Sequence, residues 1–147
     1  KDTLAILKEY DFPPSQLWIE ITERCRDLPI SMIKKTVTAF REAGIHITMD
    51  DYGTGSSSSQ MMLELPVEGI KIDMFFVKDI LEEKKKQALV IGMINFANAA
   101  DLKICIEGIE NDSLESYLRQ FDVTCFQGYH YSRPICQDEL MKLLIKP

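Results

Sequence analysis

Ile45-His46-Ile47-Thr48-Met49-Asp50-Asp51-Tyr52-Gly53-Thr54-Gly55 is a short apolar run that ends in two adjacent carboxylates and a glycine-broken turn. Adjacent acids at a strand end repel one another unless a cation sits between them. Hard divalent ions such as magnesium or manganese accept two carboxylates side by side. The design recurs: Leu17-Trp18-Ile19-Glu20, Gly69-Ile70-Lys71-Ile72-Asp73, Ile104-Cys105-Ile106-Glu107 and Cys125-Phe126-Gln127 each read as an apolar strand closing on polar groups. Five strand ends that aim acids, a lysine and an amide at one rim suit an active site better than a solvated face.

The intervals between these strands read as helices. Thr3 to Tyr10 is a short helix closed by Phe12-Pro13-Pro14, because prolines withdraw donors and bias the preceding residue away from helical backbone. Pro29 to Ala43 carries Ile33, Val37 and Phe40 at helical spacing, a proline near its first turn and Gly44 just past its end. Further helices are predicted over Ser57 to Leu65, Gln87 to Ala100, Asn111 to Gln120 and Gln137 to Ile145. The strands are predicted over Leu17 to Ile21, Ile45 to Met49, Val67 to Ile72, Lys103 to Ile106 and Val123 to Phe126. Strands alternating with helices specify parallel βαβ units, whose functional groups gather at the carboxyl ends of the strands. The choice lies between an open doubly wound sheet and a TIM-type (β/α) barrel, and polar groups contributed by every strand in succession favour the barrel. Five strands form only part of an eight-stranded barrel.

The 147 residues, 46% hydrophobic and 27% charged, have the size and balance of one soluble globular domain, undivided by any linker or low-complexity tract. A formal net charge of −6 argues against a sequence-independent grip on a nucleic acid polymer or an anionic membrane, so an anionic ligand would need metals to bridge it. The four cysteines, Cys25, Cys105, Cys125 and Cys136, show no CxxC spacing, and two fall inside strands, which suits buried free thiols in a reducing compartment. The most apolar long run, Ala88 to Ala100, is interrupted by Asn95 and Asn98 and falls short of the ~20 residues that span a bilayer. A cytoplasmic chain is therefore expected, and its start at Lys1, without methionine or signal pattern, suggests a piece of something longer. Lys84-Lys85-Lys86, behind Glu82-Glu83, reads as a solvated loop.

Five motifs in order resemble those of the EAL domain, the bacterial cyclic di-GMP phosphodiesterase family. Glu20-Ile21-Thr22-Glu23 resembles its ExTE strand end, and Asp50-Asp51-Tyr52-Gly53-Thr54-Gly55 its DDFGTG loop. Leu65-Pro66 through Ile70-Lys71-Ile72-Asp73 resembles its LP…KID segment, Glu107-Gly108-Ile109-Glu110 its EGVE signature, and Gln127-Gly128-Tyr129 with Ser132-Arg133-Pro134 its QGYxxSRP ending. The resemblance runs over essentially all of residues 1–147 and implies the carboxyl-terminal portion of a single EAL domain. The name-giving Glu-Ala-Leu strand, and the strand with the metal-binding asparagine, have no counterpart here. What it implies is a partial TIM-type barrel that hydrolyses cyclic di-GMP to linear pGpG in second-messenger signalling, impaired in so short a chain. A silent EAL-like module that binds the dinucleotide or a protein partner is the rival.

By the resemblance, Asp50 bridges two Mg2+ or Mn2+ ions, with Asp51 on the second and Glu20 on the first. Two metals about 3.5–4 Å apart can clamp the attacking water and the leaving oxygen of a phosphodiester displacement. The plain alternative for the aspartate pair is a turn, where Asp is common before Gly and Ser. Lys71, between the apolar Ile70 and Ile72, should present its ammonium at the rim to hold a hydroxide or stabilise charge on phosphate, unless it merely pairs with Asp73. Glu107 matches a family glutamate that is either metal ligand or general base. Asp73, Glu110 and Gln127 are expected to orient substrate or water, and Glu23 to anchor the Asp-Tyr-Gly-Thr-Gly loop. His46 reads as a satisfied core or helix-facing histidine, Met61-Met62-Leu63 as a core helix face, and one serine of Ser56 to Ser59 as a cap. An incomplete barrel leaves an apolar edge and an open interior, to be covered by the missing amino-terminal half or by a second copy. Without the family, the bare pattern would also suit a (β/α) metal enzyme that stabilises an enolate.

Overall fold

The five predicted strands all form, and they pair in parallel and in chain order. They are β1 (Trp18–Ile21), β2 (His46–Tyr52), β3 (Gly69–Ile72), β4 (Lys103–Ile106) and β5 (Cys125–Phe126), in one sheet ordered β1-β2-β3-β4-β5. The computed structural model describes residues 2–22, 28–54 and 58–145. A doubly wound sheet reverses its strand order partway across, whereas strands laid down strictly in succession are the pattern of a TIM-type barrel. Around the sheet lie α1 (Thr3–Glu9), α2 (Ile30–Glu42), α3 (Ser58–Glu64), α4 (Met74–Val77), α5 (Lys84–Ala99), α6 (Asp112–Leu118) and α7 (Gln137–Leu144).

The two-residue period of a strand sorts its side chains between two faces. Ile47, Met49, Ile70, Ile72, Ile104 and Ile106 are buried in one apolar cluster with Ile33 and Val37 of α2 and Val90, Ile94 and Ala97 of α5. Each such side chain contributes roughly 1.5–3 kcal/mol on burial, so this layer alone holds the helices to the sheet. The alternate residues, among them Glu20, Thr48, Lys71, Cys105 and Cys125, line the concave face around a cavity of about 330 Å³. The thiols follow that division: Cys105 is half-buried and Cys125 exposed, both free, as is the exposed Cys136. The expectation of buried thiols is therefore corrected, because these two lie on the concave face and not among the isoleucines. Cys25 lies outside the described residues.

Several boundaries differ from expectation for identifiable reasons. Strand β2 runs on through both aspartates, because Met49 pairs with Ile70 and Tyr52 with Ile72, so two residues of β2 stand opposite the single Lys71. Such a bulge re-aims side chains, and here Asp51 takes a left-handed φ of 54°. The lysine run is not a loop but the first turn of α5. Cations are disfavoured at a helix start, yet Lys86 Nζ donates to the Lys78 carbonyl at 2.6 Å and lies 5.6 Å from the Phe75 ring centroid. The short helix α4 went unpredicted; Asp73 caps it, its Oδ1 accepting from the Phe75 N–H at 2.7 Å. His46 is satisfied as expected, stacked on Trp18 with centroids 4.5 Å apart and with Nδ1 2.5 Å from Glu68 Oε2.

Beyond β4 and β5 the two chains stay in contact, with Gln127 N–H donating to the Ile106 carbonyl and Ile109 N–H to the Gln127 carbonyl. A Cβ on Gly128 would collide with the Ile109 backbone, and Gly108 takes a φ of 75° against Met74. These close approaches explain a glycine after both Glu107 and Gln127. Gly128→Ala is expected to lower unfolding stability by about 2 kcal/mol or more in chemical denaturation; a change within about 0.5 kcal/mol would show that the backbone yields freely.

Candidate active site

Four strands deliver charged groups to one point on the rim. Lys71, in the middle of the sheet on β3, places Nζ 2.7 Å from Glu107 Oε1 just past β4, 2.9 Å from Glu20 Oε1 on β1 and 3.4 Å from Asp50 Oδ1 on β2. The expected alternative, a pairing of Lys71 with Asp73, is not what forms, because the Asp73 carboxylate is used as the α4 cap. The Lys71 side chain is only 10% exposed, while Asp50 and Glu107 are 18% exposed. Three carboxylates around one ammonium leave an excess of negative charge in a partly dehydrated place, where charge is felt strongly.

Burial alone would lower the pKa of Lys71, but hydrogen bonds to Glu107 and Glu20 outweigh it and the net shift is upward. A folded-state value above the unfolded one gives stability that is complete below the unfolded pKa of about 10.4 and is lost only as pH rises through the raised value. The lysine thus stays charged throughout ordinary conditions and acts as a fixed cation. Profiles of stability and turnover between about pH 5 and about pH 10 are expected to show no limb from this group. An alkaline limb in that window that vanishes in Lys71→Arg would contradict this.

Asp50 Oδ1 is buried and, among the described residues, lacks a hydrogen-bond partner. Its 3.4 Å approach to Lys71 is an ion pair too long to count as a hydrogen bond to the oxygen. A buried acceptor left in this state costs about 1–3 kcal/mol, more when charged. An orphaned carboxylate oxygen, beside two further acids and, among the described residues, one ammonium, is the donor set a hard divalent cation fits. Glu20 and Asp50 are the carboxylates beside it that could take part, and Asp51 follows Asp50 in the chain.

Next to this cluster a cleft of about 190 Å³ is lined by Met74, Glu107, Glu110, Gln127 and Tyr129. Glu107 therefore faces both the charged cluster and the cleft, and the structure brings Glu110 and Gln127 to it. Asp73 stands one step removed, fixing the helix that carries Met74. Glu23 lies outside the described residues. On the concave face behind the cluster, burial followed by contact with Cys125 pushes the Cys105 thiol up to about 12.

One group was missed from sequence. Asp112, Glu115 and His130 place ligand-type atoms within 4.8 Å of one another. Glu115 Oε2 lies 3.0 Å from His130 Nε2, while Oε1 accepts from Tyr131 Oη at 2.9 Å and pairs with Arg119. Arg119 first, then Tyr131, hold the Glu115 carboxyl below the usual range. With its carboxylate so occupied, this cluster reads as a clamp between α6 and the segment after β5. Only the four-residue spacing of Glu115 and Arg119 was visible beforehand.

Comparison with known proteins agrees with the geometry. The profile of the EAL domain matches residues 1–134. The cyclic di-GMP phosphodiesterase RocR of Pseudomonas aeruginosa is 30% identical over 138 residues, covering 93% of this chain and 35% of RocR. The EAL domain of Mycobacterium smegmatis DcpA superposes with a TM-score of 0.90 at 31% identity, over 95% of this chain and 63% of that one. Klebsiella pneumoniae BlrP1, solved as a manganese and cyclic di-GMP complex, superposes with a TM-score of 0.82 at 28% identity, over 89% of this chain and 33% of that one. The chain spans between 16% and 35% of the length of curated relatives such as DosP of Escherichia coli and RocR.

Proposed function

The chain belongs to the EAL domain family, and from that premise we propose that it forms the carboxyl-terminal portion of a domain that hydrolyses cyclic di-GMP to linear pGpG with Mg2+ or Mn2+. The observation that carries this is the buried Asp50 Oδ1, without a hydrogen bond, among Glu20, Lys71 and Glu107. Glu20, Asp50 and Asp51 would hold the cations. When bound, these supply positive charge that polarises the phosphate and acidifies water.

The chain's own groups do the rest. Lys71, permanently charged, donates to oxygen on which negative charge grows. Glu107, fixed by its 2.7 Å contact with Lys71, is aimed at the attacking water as ligand or general base. Glu110 and Gln127 orient the substrate in the adjoining cleft, and Asp73 positions Met74 on its wall.

Residues 1–147 supply five strands of an eight-stranded barrel, and α7 leaves Leu140, Met141, Leu143 and Leu144 exposed. The remaining strands come from elsewhere in the parent protein, or a second copy covers the open face. Among the described residues no helix is long and apolar enough to cross a membrane.

Incubating cyclic di-GMP with manganese or magnesium and following the linear dinucleotide by chromatography tests this, for the full-length protein beside the 147-residue chain. Turnover by the full-length protein is expected, with the short chain slower by about 100-fold or more because its cation site lacks ligands and outer support. Binding without turnover in the full-length protein, metals present, would replace the enzyme with a silent receptor.

A further inference from the structure

We propose that Cys105 and Cys125 are a redox modification site, which hydrogen peroxide converts to a disulfide beneath the rim and thiols restore. The pair registers directly: β4 and β5 set Cys105 opposite Cys125 and Ile106 opposite Phe126. On the other side of β4, Lys71 stands opposite Cys105. Lys71, Cys105 and Cys125 thus form one row across three strands, and all three line the concave cavity. The two thiols are near enough that Cys125 adds, after burial, to the raised pKa of Cys105. Partner residues on adjacent strands lie ~4.8 Å apart, inside the ~4.4–6.8 Å range of Cα separations that a disulfide spans. Cys136, by contrast, lies beyond the sheet at the start of α7.

The chemistry balances with peroxide as oxidant. The thiolate of Cys125, the more exposed thiol, attacks one peroxide oxygen; the O–O bond breaks, leaving a sulfenic acid and, after protonation, water. The Cys105 sulfur then attacks the sulfenic sulfur, the S–O bond breaks, a second water leaves and the S–S bond forms. Two electrons pass from the sulfurs to the peroxide. A dithiol reverses the step by thiol–disulfide exchange.

The consequence for the rim follows from the two-residue period. Glu107 lies two residues past Cys105 and Gln127 two past Cys125, on the same face and one step nearer the cleft. A disulfide favours a Cα separation of ~5.5–6 Å, wider than the ~4.8 Å between paired strands, so closing the bond displaces β5 relative to β4. β5 is only two residues long and yields more easily than the four-residue β4. Gln127 then shifts relative to Glu107, which is itself ion-paired with Lys71. The effect on turnover rests on the phosphodiesterase reading, while the bond itself does not.

The test treats reduced full-length protein, in a Cys136→Ser background, with hydrogen peroxide, followed by alkylation, digestion without reductant and mass spectrometry. A cross-linked pair of peptides, one starting at Ile104 and one at Gln120, two hydrogens lighter than their sum, is expected. It should vanish in Cys105→Ser and in Cys125→Ser and on adding dithiothreitol. Both thiols remaining open to alkylation, at a peroxide dose that oxidises free glutathione, would overturn the site, as would pairing with Cys25 instead. Oxidation should lower cyclic di-GMP turnover about tenfold to a hundredfold, reversibly and in neither serine variant. Cross-linking with unchanged turnover would overturn the regulatory consequence. No turnover in the reduced protein would count against the phosphodiesterase reading alone, with the peptides still deciding the bond.

Discussion

Asp50→Asn is expected to lower cyclic di-GMP turnover by a factor of about 10²–10³, the scale of losing one preorganised electrostatic contact, without destabilising the metal-free fold. The two halves of that result come from the same atom. Asp50 Oδ1 is buried without a hydrogen bond and shares one ammonium with Glu20 and Glu107. Removing its charge relieves repulsion between acids and forfeits only a long ion pair, so metal-free stability should stay within about 1 kcal/mol or rise. Manganese should then separate the proteins. A cation at 100 times its dissociation constant stabilises the native state by about 2.7 kcal/mol, and the variant should forfeit most of that gain. Thermal unfolding with and without manganese, beside turnover, measures both. A variant that is markedly less stable without metal and still gains fully from manganese would make Asp50 a structural residue.

Lys71→Met should fail in the opposite way, losing both turnover and metal-free stability. Three carboxylates would be left facing one another with no cation. Breaking a buried ion pair costs about 3–5 kcal/mol, but Glu20 is 47% exposed and can be solvated, so about 2–3 kcal/mol is expected. Turnover should drop by about 10² or more with the loss of the fixed charge. Added manganese should restore more stability to this variant than it gives the natural protein, because it supplies the missing positive charge. Equal increments from manganese in both proteins, in urea denaturation, would show that the lysine and the metal do not share the acids.

The strand ends were legible because each couples an apolar run to an abrupt polar stop, a signal contained within four or five residues. Glu20, Asp50, Lys71 and Glu107 were therefore identifiable one by one. Their convergence on a single ammonium was not, since it depends on register between strands. The bulge in β2 shows the limit: Asp50-Asp51 reads locally as the end of a strand, and only the Tyr52–Ile72 pairing reveals that the strand continues. Asp73 offered two local roles, a partner for Lys71 or a helix cap, and the N–H of Phe75 decides between them. The lysines at 84–86 misled for a related reason, because their unfavourable place at a helix start is offset by Lys78 and Phe75, several residues earlier in the chain. His130 and Glu115 meet across a strand and a turn, and no spacing rule links them.

Crystals of the full-length protein grown with manganese and cyclic di-GMP, measured at the manganese absorption edge, test the central arrangement most directly. Anomalous density on the Asp50 carboxylate, shared with Glu20 and Asp51, is the expected result. Density confined to Asp112, Glu115 and His130, with Lys71 still alone between Glu20, Asp50 and Glu107, would contradict it.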